Sequence, residues 1–373
     1  MMNVIISGSG LYTPPHSISN DELVIAFNQY VDLFNTQHQQ QIDAGTVTPL
    51  EHSSSEFITK ASGINSRYVM DKEGILDPTF MRPRLPERSD EQPSLLCEIG
   101  AAAAQQALEN AGRKPEDVDL VIVACSNLQR AYPAIAIEIQ QQLGCDGYGY
   151  DMNVACSAAT FGIGAAADAI RSGNARCALV INPEITSGHL DFRDRDCHFI
   201  FGDVATATVI EAEQETNPDN AFRILGTQFK TKFSNNIRNN FGFLNNSAPE
   251  TRDSRDKLFM QNGRKVFKEL LPMVTSSINE HLDKASLQAT DFKRFWLHQA
   301  NLTMNLFAAK KLLGREPTPD EMPIILDRYA NTSSAGSIIA FHLHSRDLEA
   351  GDKGILSSFG AGYSVGSILL EKL

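Results

Sequence analysis

From Ser94 onward the sequence alternates short apolar runs with longer segments of helical period. An Ala-rich helix is expected over residues 94–110, ending near Gly112, and the apolar run 118–124 follows. A helix over 135–143, a strand over 148–153 and a helix of small residues over 157–171 come next. Strands at 177–182 and 205–211 close the series. A strand that is apolar along its whole length must be covered on both faces, and the intervening helices are the available covers. Strands alternating with helices therefore predict an α/β fold.

The second half replays this order without repeating the sequence. A strand is expected at 222–230, a helix at 257–282, a strand at 294–297, helices at 302–313 and 334–348, and two closing strands at 353–358 and 363–371. This divides the chain into halves 1–215 and 216–373. Residues 1–10 read as a strand that opens the first half. Ser19, with Glu22 three residues on, starts a capped helix that reaches about Phe34. Irregular insertions are expected at about 28–55, which is polar from Gln37 on, and at 72–93, rich in Pro, Arg, Asp and Glu.

The chain has 373 residues, 42% of them hydrophobic, enough for a substantial core. Its formal net charge of −12 argues against bulk binding of nucleic acid, which needs a basic face. No apolar run approaches the ~20 residues of a membrane span. Residues 1–10 lack the basic and apolar regions of a signal peptide. Six cysteines without a C-x-x-C pair suggest free thiols and a cytoplasmic setting.

Three residues fall at the ends of strands or the starts of helices. Cys156, in Asp151-Met-Asn-Val-Ala-Cys-Ser-Ala-Ala, ends a strand and opens a helix of small residues. A helix N-terminus favours a thiolate, the nucleophilic form of cysteine. A buried structural cysteine is the bland alternative. His298, in Trp296-Leu-His-Gln-Ala-Asn301, follows an apolar strand and could donate to a thioester carbonyl or polarise a thiol; a hydrogen-bonded core histidine is equally open. Asn331, in Ala330-Asn-Thr-Ser-Ser-Ala-Gly336, reads alone as a helix cap; beside a catalytic histidine it could donate to an enolate oxygen. Gly360-Ala-Gly362 is a hairpin turn or a close backbone approach that aims an N–H. Gly8-Ser-Gly10 lacks the rest of a dinucleotide fingerprint and is rejected as one.

Taken together, these segments resemble β-ketoacyl-ACP synthase III of type II fatty acid synthesis. Cys156, His298 and Asn331 stand in that family's order. Ser62-Gly-Ile64 with Arg67, Phe201-Gly-Asp203 with Val204 in place of a glycine, His298-Gln-Ala-Asn301, Asn331-Thr-Ser and Phe359-Gly-Ala-Gly362 carry the likeness. The resemblance implies a thiolase-like fold of two pseudo-duplicated halves with five-stranded mixed sheets, layered αβαβα. It implies decarboxylative condensation of an acyl-CoA with malonyl-ACP through an acyl-Cys156 thioester. The backbone N–H groups of Cys156 and Ala361 would hold the oxyanion. His298 and Asn331 would hold the malonyl enolate. No metal and no cofactor is implied, CoA thioester being the substrate.

The resemblance also places Phe57 on the CoA adenine, with Ala61 where the family has an arginine and Lys60 beside it. It assigns Asn301, Gly263 and Phe267 to substrate binding and sends Tyr132 into the partner's pocket of a homodimer. Arg264, Lys265, Lys268, Lys310 and Lys311 fall near a basic patch for acyl carrier protein. The two insertions motivate a medium-chain starter. Open alternatives are another thiolase-fold ketosynthase, of head-to-head, quinolone or polyketide type, and a Cys-His-Asn hydrolase. A thiolase proper would be expected to have a second cysteine near Gly360-Ala-Gly362, which this sequence lacks. A non-catalytic relative would be expected to have lost its nucleophile.

Overall fold

A computed structural model describes residues 2–214 and 217–373. Nine strands form one sheet: β1 Val4–Tyr12, β2 Leu120–Ala124, β3 Tyr148–Met152, β4 Cys177–Glu184, β5 Val204–Ala212, β6 Phe222–Ser234, β7 Arg294–Leu297, β8 Lys353–Gly360 and β9 Gly362–Lys372. Their order is β7-β8-β9-β6-β1-β5-β4-β2-β3. In the first half, β2 is parallel to β3 and β4, and β5 runs antiparallel to β4 and β1. In the second, β7 is parallel to β8, and β9 is antiparallel to β8 and β6.

Five strands were expected in each half; the first half has its five and the second one fewer. The halves share one sheet because β1 and β6 pair at Ile5 with Arg223 and at Ile6 with Phe222. The second half contributes four strands, in the order of the first half without its outermost member. The segment before residue 326 carries Pro317, Pro319 and Pro323, each without an N–H for a ladder. The Phe295 N–H does reach the Glu321 carbonyl at 2.7 Å. The expected boundary at 215 and 216 falls outside the described residues.

The helices of eight or more residues among the described residues are α1 Asn20–Gln37, α2 Ser55–Ser62, α3 Leu95–Ala111, α4 Ile135–Leu143, α5 Ala158–Arg171, α6 Gly263–Ala285, α7 Leu302–Leu313 and α8 Gly336–Leu343. Helices α3 and α4 pack on the outer face of the first half, and α6 packs on β6, β9 and α7 outside the second. Between them lie α5 and α8, each touching strands of both halves. The αβαβα layering is therefore present. Its tight outer packing explains the glycines of β1. A Cβ on Gly8 would stand 2.4 Å from the Ala107 carbonyl oxygen, and one on Gly10 2.0 Å from that of Ala103. The Ala-rich face of α3 and these glycines are two sides of one close contact.

Ser19 and Glu22 form the expected capping box at the start of α1. The polar return of the first insertion is zipped along this helix: Asn28 exchanges hydrogen bonds with the Ser53 backbone, and Asn35 with that of Leu50. The second insertion is irregular apart from the short helix Glu73–Leu76. Helix α6 begins later than expected because Met260–Gln261 pairs with Ile237–Arg238, and Asn262 then caps the helix. Helix α8 ends at Leu343, where the Arg294 and Trp296 side chains both donate to the His344 carbonyl. Among the described residues all six cysteines are free, and no helix is long and apolar enough to cross a membrane.

Candidate active site

Cys156 sits in a single turn of 3-10 helix, Ala155–Ser157, between β3 and α5. Ala155 has a φ of 46°, a left-handed conformation that costs an alanine about 1–3 kcal/mol. That turn delivers the thiol to the seam between the halves. From the second half, Gly360 presses against it: a Cβ there would lie 2.6 Å from Cys156 Cβ and 2.9 Å from Sγ. The backbone N–H groups of Ala361 and of Cys156 itself favour the thiolate, and the Ser333 hydroxyl donates to Sγ at 3.5 Å. The helix N-terminus was expected to pull the thiol's pKa down. Burial outweighs these donors, and the thiol lies above its ordinary value.

Asn331 follows Ala330, whose φ is 56°. Its backbone N–H donates to the Ile200 carbonyl at 2.9 Å, and its carbonyl accepts the Gly202 N–H at 3.1 Å. The Phe201-Gly-Asp203 segment thus clamps the loop. Asp203 is fully buried beneath it, accepting from Ser187 and from the Met70 N–H; burial lifts its carboxyl to about 6. Asn331 Oδ1 takes the Ser333 N–H at 2.9 Å. That contact fixes the amide's orientation.

His298 follows β7, its backbone N–H on the Ser357 carbonyl at 2.8 Å. The ring is 1% exposed, lies edge-on to Phe359 and has a buried Nδ1 without a partner among the described residues. Burial pushes its pKa down to about 4, with the Ser333 carbonyl pulling weakly the other way. A neutral imidazole can donate a hydrogen bond to a substrate oxygen without adding charge.

The remaining candidates sit as follows. Phe57 is half-buried on α2, edge-on to Phe199, with the Arg195 guanidinium 4.6 Å from its ring centre. Ala61 accepts Asn301 Nδ2 at 2.8 Å, and Asn301 Oδ1 caps α7. Gly263 opens α6 with empty space beside it, and Phe267 meets Phe307 of α7 edge-on. Arg264, Lys265 and Lys268 are exposed on α6 and Lys311 on α7, while Lys310 is paired with Glu316. Tyr132 is 84% exposed on a surface loop. Arg67 is fully buried and donates to Ile18, Asn20 and Phe199, which ties the early segment to the loop bearing Phe201.

Sequence reasoning missed three residues. Ser333 stands in the Asn331-Thr-Ser segment, but only folding brings its hydroxyl to the sulfur. Arg195 is held over Phe57 by a bond from its Nε to the His52 carbonyl at 2.8 Å, so the first insertion sets it. Glu184 did leave a trace, a lone charge ending an apolar strand. It is 1% exposed, and burial raises its carboxyl to about 7.

Comparison with known proteins decides the relationship. Residues 150–232 match the family 3-oxoacyl-[acyl-carrier-protein] synthase III, and residues 282–372 match its C-terminal region. Over 347 residues the chain is 59% identical to the β-ketodecanoyl-[acyl-carrier-protein] synthase of Pseudomonas aeruginosa, covering 93% of this chain and 99% of that one. The chain belongs to the 3-oxoacyl-[acyl-carrier-protein] synthase III family. The β-ketoacyl-[acyl-carrier-protein] synthase III of Agrobacterium fabrum is 32% identical over 322 residues, 86% of this chain and 91% of its own. The crystal structure of the Aquifex aeolicus 3-oxoacyl-[acyl-carrier-protein] synthase III superimposes with a TM-score of 0.75 at 25% identity, covering 99% of both chains. Like its synthase III relatives, the protein has the thiolase-like fold and is a condensing acyltransferase of fatty acid biosynthesis.

Proposed function

We propose that the protein condenses a medium-chain acyl-CoA with malonyl-ACP, with Cys156 as nucleophile. The sulfur attacks the acyl-CoA carbonyl, and the N–H groups of Cys156 and Ala361 hold the oxyanion. CoA leaves as its thiol. Malonyl-ACP then binds, and His298 and Asn331 donate to its thioester oxygen as CO₂ departs and the enolate forms. The enolate carbon attacks the acyl-Cys156 carbonyl. A carbon–carbon bond forms, the carbon–sulfur bond to Cys156 breaks, and β-ketoacyl-ACP is released.

One observation carries this reading: donors from both halves, Ala361 and Ser333 from one and Cys156 from the other, converge on a single sulfur. A starter of eight carbons is supported by the name of the Pseudomonas relative, since a ten-carbon β-ketoacyl product is an octanoyl group plus two malonyl carbons. Helix α1, which runs into the first insertion, adds Phe27 and Val31 to the apolar cluster that holds Phe199 and Phe201. Phe57 and Arg195 offer an aromatic face and a cation for the CoA adenine. The exposed residues Arg264, Lys265, Lys268 and Lys311 suit an acidic carrier protein. A homodimer is supported by the open edge of β3, which bears Tyr148 and Tyr150 half-exposed, and by the nearby Tyr132 loop. A cytoplasmic location is supported by these substrates and the free thiols.

The test is intact-mass analysis after incubation with equimolar acetyl-CoA and octanoyl-CoA, Cys156→Ala serving as control. Octanoyl mass on the wild type alone is the expected result. Acetyl mass in preference would remove the chain-length assignment. Acyl mass on the Cys156→Ala protein would remove the nucleophile.

A further inference from the structure

We propose that Glu184 is a positioning residue for the condensation step: its carboxylate ties the Asn331 loop to the Cys156 turn and so sets the Asn331 amide over the acylated cysteine. The inference rests on the roles given to Cys156 and Asn331 above.

Glu184 ends β4 beneath the seam. Its Oε1 accepts the Ser126 N–H at 3.0 Å, the Ser334 N–H at 3.2 Å and the Ser334 hydroxyl at 2.5 Å, while Oε2 accepts the Ser126 hydroxyl at 2.6 Å. Each serine leads to one side of the site. The Ser126 carbonyl accepts Asn153 Nδ2 at 2.9 Å, and Asn153 Oδ1 accepts the N–H of Ala155, the strained residue before Cys156. Ser334 follows Ser333, whose φ is 51° and whose N–H and hydroxyl reach Asn331 Oδ1 and Cys156 Sγ. One carboxylate therefore braces both strained turns, one from each half of the chain.

Among the described residues no Lys or Arg forms an ion pair with Glu184. A buried carboxylate without a counter-ion is costly, and an apolar filler would be cheaper if packing were all that was needed. Four donors from two loops require an acceptor of this shape. A glutamine retains most of it: its carbonyl keeps three donors and its amide turns to the Ser126 hydroxyl. An alanine orphans both N–H groups and the Ser126 hydroxyl, and leaves the Ser334 hydroxyl only the Ala124 carbonyl at 3.3 Å.

The experiment measures acyl loading and malonyl-ACP-dependent condensation separately in the full-length protein. Glu184→Ala is expected to load acyl-CoA within about fivefold of wild type and to lose roughly 10- to 100-fold in condensation, the scale of a misplaced catalytic group. Glu184→Gln is expected to restore most of that loss. Equal losses in both steps, or a glutamine variant no better than alanine, would overturn the inference. Should the alanine variant not fold, Ser334→Ala cuts the tie from the loop side and must show the same split; equal loss there also overturns it. A wild type that forms no acyl adduct would sink the functional reading itself.

Discussion

Gly360 and Cys156 are packed so closely that the strand bearing the glycine has no room for a side chain: an added Cβ would meet the cysteine Cβ at 2.6 Å and Sγ at 2.9 Å. This contact sets the distance between the Ala361 N–H and the sulfur. Gly360→Ala must therefore push β8 away or displace the thiol. Acyl loading should fall at least ~100-fold, as expected when an oxyanion donor and its nucleophile lose register. Loading rates by intact mass, with circular dichroism to confirm folding, test this; wild-type loading would contradict the packing.

The Ser333 hydroxyl favours the thiolate of Cys156, while burial opposes it. Removing the donor should raise the thiol's pKa further. Ser333→Ala is thus expected to slow iodoacetamide alkylation at neutral pH and to move its midpoint to higher pH. A midpoint shifted downward would refute the sign. The oxygen–sulfur contact is long, so a severalfold effect is expected, below ~1.5 kcal/mol.

Phe57 and Arg195 face each other at 4.6 Å. If an adenine binds there, Phe57→Ala or Arg195→Ala should raise the KM for octanoyl-CoA by about 3- to 30-fold, the range of stacking and cation–π contributions. The same variants should leave octanoyl-pantetheine, which has no adenine, unchanged. Equal losses with both substrates would place the pair elsewhere in the reaction.

Reversing charge at Arg264, Lys265 and Lys268 tests the carrier-protein surface. The triple glutamate variant should raise the KM for malonyl-ACP by at least about tenfold at low salt, with the gap narrowing as salt rises. Loading from acyl-CoA should stay near wild type. A salt-independent defect would argue for misfolding of α6.

Acid should destabilise the protein below neutral pH. Burial lowers His189, His198, His281 and His298 to about 4. Between that value and the ordinary 6.5, the unfolded chain binds protons that the folded chain refuses, so stability falls as pH drops through this window. Glu184 and Asp203, raised to about 7 and 6, work in the opposite sense, because the folded state takes up their protons first. Four imidazoles outweigh two carboxyls, and Tm at pH 5 should lie below Tm at pH 7. A Tm that rises on acidification would reverse the balance.

Much of the site was legible because its parts announce themselves locally. The apolar run ending at His298 and the helix after Asn301 stand where expected, at Arg294–Leu297 and Leu302–Leu313. Cys156 was legible as the end of a strand, Asn331 as the start of a helix and Gly360-Ala-Gly362 as a turn between strands, and their joint order suggested the family. Helix ends were less legible: α6 starts late because a remote two-residue ladder claims Met260–Gln261, and α8 stops where distant Arg294 and Trp296 capture a carbonyl. Local pattern carries no information about such partners.

The sequence by itself determined the alternation of strands and helices, the small residues that let α5 and β1 be covered closely, and the three chemical groups available to a condensing site. Hydrophobic period and residue type suffice for these, because each depends only on neighbours along the chain. Tertiary structure decided the rest. It joined the halves through β1 and β6, brought Ser333 and Gly360 to the Cys156 sulfur, set Arg195 over Phe57, and buried Glu184 where it could brace both strained turns. It also reversed the expected sign at Cys156, because desolvation of a thiol depends on everything folded around it and not on the helix that follows it.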